Sequence, residues 1–93
     1  MDCSFEWDET KAAENYAKHD VSFETATEVF EDPFGIERLD DREDYGEERF
    51  ILIGTAEDVV LTVVYTERNG LIRIISARHA TRREQDEYFI END

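Results

Sequence analysis

Apolar and polar residues alternate most regularly in the second half of the chain. Alternation with a period of two is typical of strands that bury one face. Asn69-Gly70 separates two of the alternating segments, and this dipeptide favours a two-residue type I′ hairpin turn. The pattern therefore predicts an antiparallel meander whose strands are residues 49–54, 59–66 and 71–77.

Two short helices are predicted before this meander, after a short strand or extended segment at residues 5–7. Asp8 is a good N-cap for a first helix that ends near His19. Ser22 caps a second helix that ends before Pro33, because proline disfavours helical backbone in the residue before it. The polar residues of the first helix recur at i, i+4 and i+7 and are expected to share one polar stripe: Lys11, Asn15 and Lys18.

A weaker strand and a last helix complete the prediction. Residues 34–39 can form a fourth strand, and the acidic segment 40–48 is expected to be a solvated loop. Thr81 and Glu84 have the spacing of a capping box, which predicts a helix over residues 81–90. Two N-terminal helices, an antiparallel sheet of three to four strands and a C-terminal helix make an α+β fold, and the 93 residues are expected to form one domain.

The net charge is the most unusual feature of the composition. The chain has 25 acidic and 10 basic residues, a net charge of −15. This balance opposes nucleic-acid binding, because phosphates attract clustered lysine and arginine. Either the surface is adapted to concentrated salt or its acidity serves a basic partner. Since fields are screened within roughly 3 Å at 1 M salt, a local basic pocket can still act.

Several classes of protein are disfavoured by the sequence. No apolar run approaches the length of a membrane span, and the N-terminus lacks the basic head and apolar stretch of a signal peptide, so we expect a cytoplasmic protein that does not bind membranes. Cys3 is the single cysteine, which excludes an internal disulfide. One cysteine and two histidines give no metal-ligand spacing, and we expect no metal and no cofactor.

Strand pairing predicts that arginines gather on one face of the sheet. A two-residue turn at Asn69-Gly70 places Thr66 opposite Arg73, and Val64 opposite Ile75. Alternation then divides the side chains between two faces. The arginine-bearing face has Arg68, Arg73, Thr62, Thr66 and Ala77, and the apolar face has Leu61, Val63, Tyr65, Ile72 and Ile74.

Arg49 is expected to join the same face. If residues 55–58 form a four-residue loop, Arg49 lies opposite Val64 and on the arginine-bearing face. Arg78 and His79 then lie at its rim. The sequence thus predicts a small cationic pocket on an acidic protein.

Simpler structural roles remain open for each of these residues. Arg49 and Arg68 could be edge-strand charges paired with the abundant carboxylates. Arg73 differs, because an arginine among apolar neighbours must reach water or meet an anion. His79 is either a structural imidazole or a group that titrates near neutral pH. Ordinary helix charges would equally explain His19, Arg82 and Arg83.

The order of several motifs is characteristic of one family. The motifs are Phe5-Glu6-Trp7-Asp8, Lys18-His19, Val21-Ser22-Phe23-Glu24, Glu48-Arg49, Val63-Val64-Tyr65-Thr66-Glu67-Arg68 and Ile72-Arg73-Ile74-Ile75-Ser76-Ala77-Arg78. Together they resemble the BrnT toxins of type II toxin–antitoxin systems. The resemblance implies a fold similar to that of RelE-type ribonucleases, and RNA cleavage that inhibits translation. It also implies neutralisation by a BrnA-type antitoxin, with DNA contacted only through the antitoxin complex.

The implied chemistry is metal-independent RNA cleavage. It requires removal of the 2′-hydroxyl proton, stabilisation of the phosphorane and protonation of the leaving oxygen. We expect Arg49, Arg73 and Arg78 at the phosphates, because a guanidinium matches phosphate oxygens bidentately. Proton transfer is expected from Lys18, His19 or His79, with Glu48 as a further candidate, and other RNA contacts from Arg68, Arg82 and Arg83. The alternative is a non-catalytic acidic module that meets a basic antitoxin or mimics nucleic acid.

Overall fold

The structure is a computed structural model that describes residues 4–91. Cys3, for which no internal disulfide was predicted, lies outside these residues. The elements in chain order are β1 (Phe5–Glu6), α1 (Glu9–His19), α2 (Phe23–Thr27), a 3-10 helix (Glu28–Glu31), β2 (Ile36–Asp40), β3 (Arg49–Ala56), β4 (Val59–Arg68), β5 (Leu71–His79) and α3 (Arg82–Glu91). The predicted α+β class is confirmed. No helix within residues 4–91 is long and apolar enough to cross a membrane.

The sheet is larger than predicted and is mixed rather than antiparallel. It has five strands in the order β1-β5-β4-β3-β2. The short β1 pairs parallel to β5, with Phe5 beside Ile72 and Glu6 beside Arg73. The weak strand predicted at residues 34–39 is present as β2, which pairs with β3. Asp40 therefore belongs to the sheet and not to the predicted loop.

The predicted helix caps are confirmed. The Asp8 and Ser22 side chains accept hydrogen bonds from backbone N–H groups in the first turns of α1 and α2. In the capping box, the Thr81 hydroxyl accepts from the Glu84 N–H and the Glu84 carboxylate accepts from the Thr81 N–H. The second helix is shorter than predicted, because α2 ends at Thr27 and continues as the 3-10 helix.

Asn15 is not on the predicted polar stripe of α1. It is buried, and its carboxamide nitrogen donates to the carbonyls of Val21 and Ala77, at 3.0 and 2.8 Å. Its carboxamide oxygen accepts from the Ala77 N–H at 3.1 Å. Asp20, at φ 58°, ends α1 in the left-handed conformation, which aspartate tolerates better than most residues do. Tertiary contact with β5 thus overrides the helical spacing that grouped Asn15 with the lysines.

Both hairpin turns of the meander contain two residues. The Asn69-Gly70 turn is confirmed, with φ of 51° and 79°, and Thr66 lies opposite Arg73 as predicted. The predicted four-residue loop at 55–58 is wrong, because Glu57 and Asp58 form a second tight turn with φ of 52° and 65°. Ile51, not Arg49, therefore lies opposite Val64. Arg49 moves by two positions and so keeps its predicted face.

A β-bulge in β5 corrects the rest of the predicted register. Val64 lies opposite Ser76, and Tyr65 lies opposite Ile74, so Ile75 is the extra residue. An extra residue reverses the alternation beyond it. Ala77 is therefore wholly buried on the apolar face and not on the arginine-bearing face, and Arg78 lies opposite Thr62.

Helices cover the two faces of the sheet unequally. α3 packs on the arginine-bearing face, at the end nearest the β3–β4 turn, where Tyr88 joins a small apolar cluster with Ile53, Val60 and Ala80. The opposite end of that face, toward Asn69-Gly70, carries arginines. The main core lies between the apolar face and α1, α2 and the 3-10 helix, and its buried residues are Val21, Phe23, Ala26, Val29, Leu52, Ala56, Leu61, Val63, Tyr65, Ile74 and Ala77.

Candidate functional site

One row of side chains crosses the open end of the arginine-bearing face. The pairing places Asp40 beside Arg49, Thr66 beside Arg73, and Arg73 beside Glu6. We call these five residues the arginine row. Only β4 lies between the strands of the two arginines, so their Cα atoms are about 10 Å apart. The row thus brings together two of the three arginines predicted to bind phosphate.

Arg73 has hydrogen-bonding capacity to spare. Its Nη1 is 3.5 Å from Glu6 Oε1, and 27% of its side chain is exposed. Among residues 4–91, the Arg73 guanidinium makes this ion pair but no hydrogen bond. A guanidinium carries five N–H donors in a fixed plane. A half-buried, charged group with unused donors is well suited to bind an oxyanion.

Arg49 is held by its neighbours in a defined orientation. Its Nε donates to Glu47 Oε2 at 3.2 Å, and its guanidinium carbon is 4.1 Å from the centre of the Tyr45 ring. Glu47 Oε1 accepts a second hydrogen bond, from Arg68 at 3.0 Å. The bonds from Arg68 and Arg49 hold the pKa of Glu47 below its ordinary value. Glu47 therefore bridges two arginines much as a phosphate would.

The predicted solvated loop is anchored to the sheet. Asp40 is buried, and both its oxygens accept hydrogen bonds from Arg42, at 2.7 and 2.8 Å. The Tyr45 hydroxyl also donates to Asp40, at 3.3 Å. Hydrogen bonds from Arg42 lower the pKa of Asp40 despite its burial. These contacts fold the loop back so that Tyr45 and Glu47 reach Arg49.

Arginines are concentrated at this end of the sheet although the chain as a whole is acidic. Four arginines form ion pairs with three carboxylates here, in a chain that carries −15. Within residues 4–91, no group of three or more His, Cys, Asp or Glu side chains is arranged to hold a metal ion. The arrangement can bind an anion through guanidinium groups. The residues concerned are Arg42, Arg49, Arg68 and Arg73, with Glu6, Asp40 and Glu47.

Arg78 is engaged elsewhere. Its two terminal nitrogens donate to the two carboxylate oxygens of Glu84, at 2.7 and 3.0 Å. Burial opposes ionisation of Glu84, but hydrogen bonds from Arg78, the Thr81 N–H and Thr62 lower the pKa of Glu84 to about 2. Arg78 lies opposite Thr62, about 13 Å along β4 from Thr66. Arg78 therefore shares the face with the arginine row but anchors α3.

The remaining predicted site residues are not brought to the row. Lys18 and His19 end α1, which packs against the apolar face. His79 lies opposite Leu61, on the apolar side of β5. On α3, two exposed arginines form i, i+4 ion pairs with acidic residues of the same helix, Arg82 with Asp86 and Arg83 with Glu87.

Sequence reasoning missed several residues of this region, Arg38, Tyr45 and Glu47 among them. Arg38 lies opposite Ile51, hence on the arginine-bearing face, and pairs with Glu87 at 2.9 Å. Alternation of Ile36, Arg38 and Asp40 is the sequence signal that could have found it. Tyr45 and Glu47 carried no such signal, because their positions depend on how the loop folds.

The fold and this face define a small α+β protein with a row of arginines and carboxylates on an open sheet surface. The model of the family described as "Ribonuclease toxin, BrnT, of type II toxin-antitoxin system" matches residues 7–84. The matched span runs from before α1 to the first turn of α3 and contains β2 to β5. The chain belongs to this family of ribonuclease toxins, as its motifs predicted. No curated protein compared with the chain matches it.

Proposed function

We propose that this protein is the toxin of a type II toxin–antitoxin pair, and that it cleaves RNA in the cytoplasm without a metal and so inhibits translation. Family membership supports the toxin and ribonuclease parts of the proposal. The observation that carries the choice of site is the half-buried Arg73, whose guanidinium forms one ion pair, with Glu6, and no hydrogen bond within residues 4–91, and which shares a row with Arg49. A BrnA-type antitoxin neutralises the toxin, and DNA is contacted only through their complex.

In the proposed reaction, the arginine row binds the scissile phosphate between Arg49 and Arg73. The 2′-oxygen of the RNA loses its proton and attacks the neighbouring phosphorus, and the bond from phosphorus to the 5′-oxygen breaks as that oxygen takes a proton from water. The products are a 2′,3′-cyclic phosphate and a 5′-hydroxyl. Negative charge accumulates on the non-bridging oxygens of the phosphorane, where fixed guanidinium groups stabilise it. Arg68 binds a flanking phosphate, since it shares Glu47 with Arg49.

Proton transfer needs a group near the arginine row that can accept a proton. The backbone carbonyl of Glu48 accepts a 2.6 Å hydrogen bond from the Thr66 hydroxyl, so the Glu48 backbone lies beside the row, and the Glu48 side chain is exposed. Lys18 and His19 lie on α1, which packs on the other side of the sheet, and His79 lies opposite Leu61, on that same side. We therefore favour Glu48, the further candidate of the sequence, over the lysine and the histidines as the base that takes the 2′-hydroxyl proton.

Substitution of Arg73 tests the proposal. Arg73→Ala should lower the rate of RNA cleavage by about 10²–10³-fold, the effect typical of removing one donor from a charge-stabilising site, and should abolish growth arrest on induction. Arg82→Ala is the matched control, because Arg82 is a strongly exposed arginine of α3 that pairs with Asp86. Both variants should unfold at the same urea concentration as the parent. Full toxicity of Arg73→Ala would refute the assigned site, and loss of cleavage in EDTA would refute metal independence.

A non-catalytic binding module is the second candidate. The observation in its favour is that each of the eight arginines lies within 4.0 Å of a carboxylate oxygen. On this hypothesis the arginines are neutralised within the chain, and the acidic surface meets a basic partner. Induced expression discriminates the two functions. Growth arrest that a co-expressed antitoxin relieves supports the toxin, and absence of both arrest and cleavage supports the module.

A further inference from the structure

An open groove lies on the side of the molecule away from the arginine row. Its volume is about 850 Å³, and it runs between α1, the start of α2 and the β3–β4 turn. Leu61 and Phe23 lie at its base and are almost completely buried. His79, which the catalytic site does not use, lines its edge. The groove is therefore separate from the site proposed for RNA cleavage.

One face of α1 forms a wall of the groove. The residues of this face recur at i, i+3, i+4 and i+7, the spacing of a helix surface that packs against another helix. Ala13 is exposed, and 55% of Tyr16 is exposed. Small alanines let a second backbone come close. The residues of this wall are Glu9, Ala12, Ala13, Tyr16 and Asp20.

The exposed apolar surface continues across the groove. Val59, in the first position of β4, is 41% exposed and faces the α1 wall. Tyr16 and Val59 are two of the few large apolar side chains that the described part of the chain leaves in solvent. Contiguous apolar surface of this kind marks an interaction site more often than isolated exposed residues do. The groove thus offers an apolar contact surface on both sides.

The rim of the groove is acidic. Four carboxylate side chains line it, and no lysine or arginine does. Charge complementarity therefore selects a positively charged occupant. Because the floor is apolar, that occupant must also present apolar side chains. The carboxylates are those of Glu9, Asp20, Glu24 and Glu57.

We propose that this groove binds an amphipathic helix of a protein partner, with large apolar side chains toward Tyr16 and Val59 and with lysine or arginine toward the rim. The helical spacing of the α1 wall, the apolar floor and the acidic rim all fit the helix-in-groove mode of recognition. Naming this partner as the antitoxin rests on the proposed function. The expectation of a basic, amphipathic helix rests only on the residues that line the groove.

A synthetic peptide tests the groove directly. The probe is a 16-residue peptide with leucine at i, i+3, i+4 and i+7 and lysine elsewhere, titrated by calorimetry. Ala13→Arg adds bulk and positive charge inside the groove, and it should weaken binding at least about tenfold. Ala17→Arg is the matched control, because Ala17 is exposed on the same helix but does not line the groove. Ala17→Arg has the same net charge as Ala13→Arg, but it should bind the peptide as tightly as the parent protein does.

A charge reversal at the rim provides a second, independent pair of variants. Glu24→Lys should weaken peptide binding at least about fivefold, whereas Glu28→Lys, which changes the net charge equally outside the groove, should not. If the peptide does not bind, or if it binds all four variants equally, the groove is not a site for a basic helix. A small-molecule site or an empty groove would give that result.

Growth assays separate this inference from the proposed function. Ala13→Arg should still arrest growth, because Ala13 is remote from the arginine row, but co-expressed antitoxin should no longer relieve the arrest. Ala17→Arg should be relieved normally. Relief of both variants would overturn the assignment of the antitoxin to the groove. If the parent itself does not arrest growth, the proposed function fails, and the peptide titration still decides whether the groove binds a basic helix.

Discussion

The carboxamide of Asn15 binds both backbone groups of Ala77. β1 extends along β5 only as far as Arg73, so Ala77 has no neighbouring strand on that side. Asn15 supplies the donor and the acceptor that a strand would have supplied. A third bond, to the Val21 carbonyl, ties the end of α1 to the same point. One buried amide thus fixes the first helix against the sheet.

Asn15→Ala should therefore destabilise the protein more than any exposed substitution in α1. It leaves buried backbone groups unsatisfied, and we expect the free energy of unfolding to fall by about 2–4 kcal/mol. Asn15→Asp should not restore the stability, because it keeps the acceptor for the Ala77 N–H but places a buried carboxylate oxygen against the Val21 and Ala77 carbonyls, which need a donor. Urea denaturation measures these changes, with Glu14→Ala, at an exposed neighbour, as control. Equal stability of the Asn15 and Glu14 variants would contradict this account.

The hydrogen bond from Tyr88 to Asp32 makes a second prediction. The Tyr88 hydroxyl donates to Asp32 at 2.6 Å, and the Thr55 N–H and hydroxyl also donate to that carboxylate. Burial raises the pKa of Asp32, but these bonds outweigh it and lower the pKa overall. Tyr88→Phe should cost about 1–2 kcal/mol of stability and raise the pKa of Asp32, as followed by NMR titration. An unchanged pKa of Asp32 would contradict the role given to the hydroxyl.

The stability of the α3 anchor should depend on pH. The pKa of Glu84 is about 2 in the folded chain, against an ordinary value of 4.5, so its contribution is complete above pH 4.5 and is lost as the pH falls toward 2. After allowance for solvent screening, that contribution is about 1–2 kcal/mol. The difference in unfolding free energy between the parent and Glu84→Gln should therefore shrink between pH 5 and pH 2.5. A difference that is constant with pH would contradict the anchor.

Glu47 is expected to compete with RNA for the arginines. Because its carboxylate bridges Arg49 and Arg68, a phosphate must displace it before it can bind both. Glu47→Gln should tighten binding of an uncleavable 2′-O-methyl RNA by about three- to tenfold, most clearly at low salt. Glu43→Gln, in the exposed part of the same loop, makes the same change in net charge and should have little effect. Equal affinities of the two variants would argue against competition.

Local signals predicted a large part of the fold. The N-cap at Asp8, the capping box at Thr81 and the turn at Asn69-Gly70 each depend on neighbouring residues, and each is confirmed. The Glu57-Asp58 turn lacks the Asn-Gly signature and was predicted to be a longer loop. The face of Arg49 was nevertheless predicted correctly, because a shift of two residues preserves alternation.

The features that sequence could not predict depend on tertiary contacts. Asn15 looks polar in its helix, and only the unpaired backbone of Ala77 explains its burial. Tyr45 and Glu47 lie in a segment that composition describes as solvated, and contacts with Asp40 and Arg49 decide otherwise. Arg49 and Arg73 lie in one row as predicted, whereas Arg78 forms hydrogen bonds with Glu84 at the start of α3.

Because Ile75 is an extra residue, β5 supplies one arginine to the arginine row and another to the contact with α3. Ahead of Ile75, odd-numbered Arg73 points to the open side; behind it, even-numbered Arg78 points the same way and meets α3. If the same residues paired with β4 without the bulge, alternation would turn Arg78 inward and Ala77 outward, whereas deleting Ile75 would remove the bulge and keep both on their present faces. The bulge, and not the residue types alone, thus decides that both arginines of β5 face the same side of the sheet.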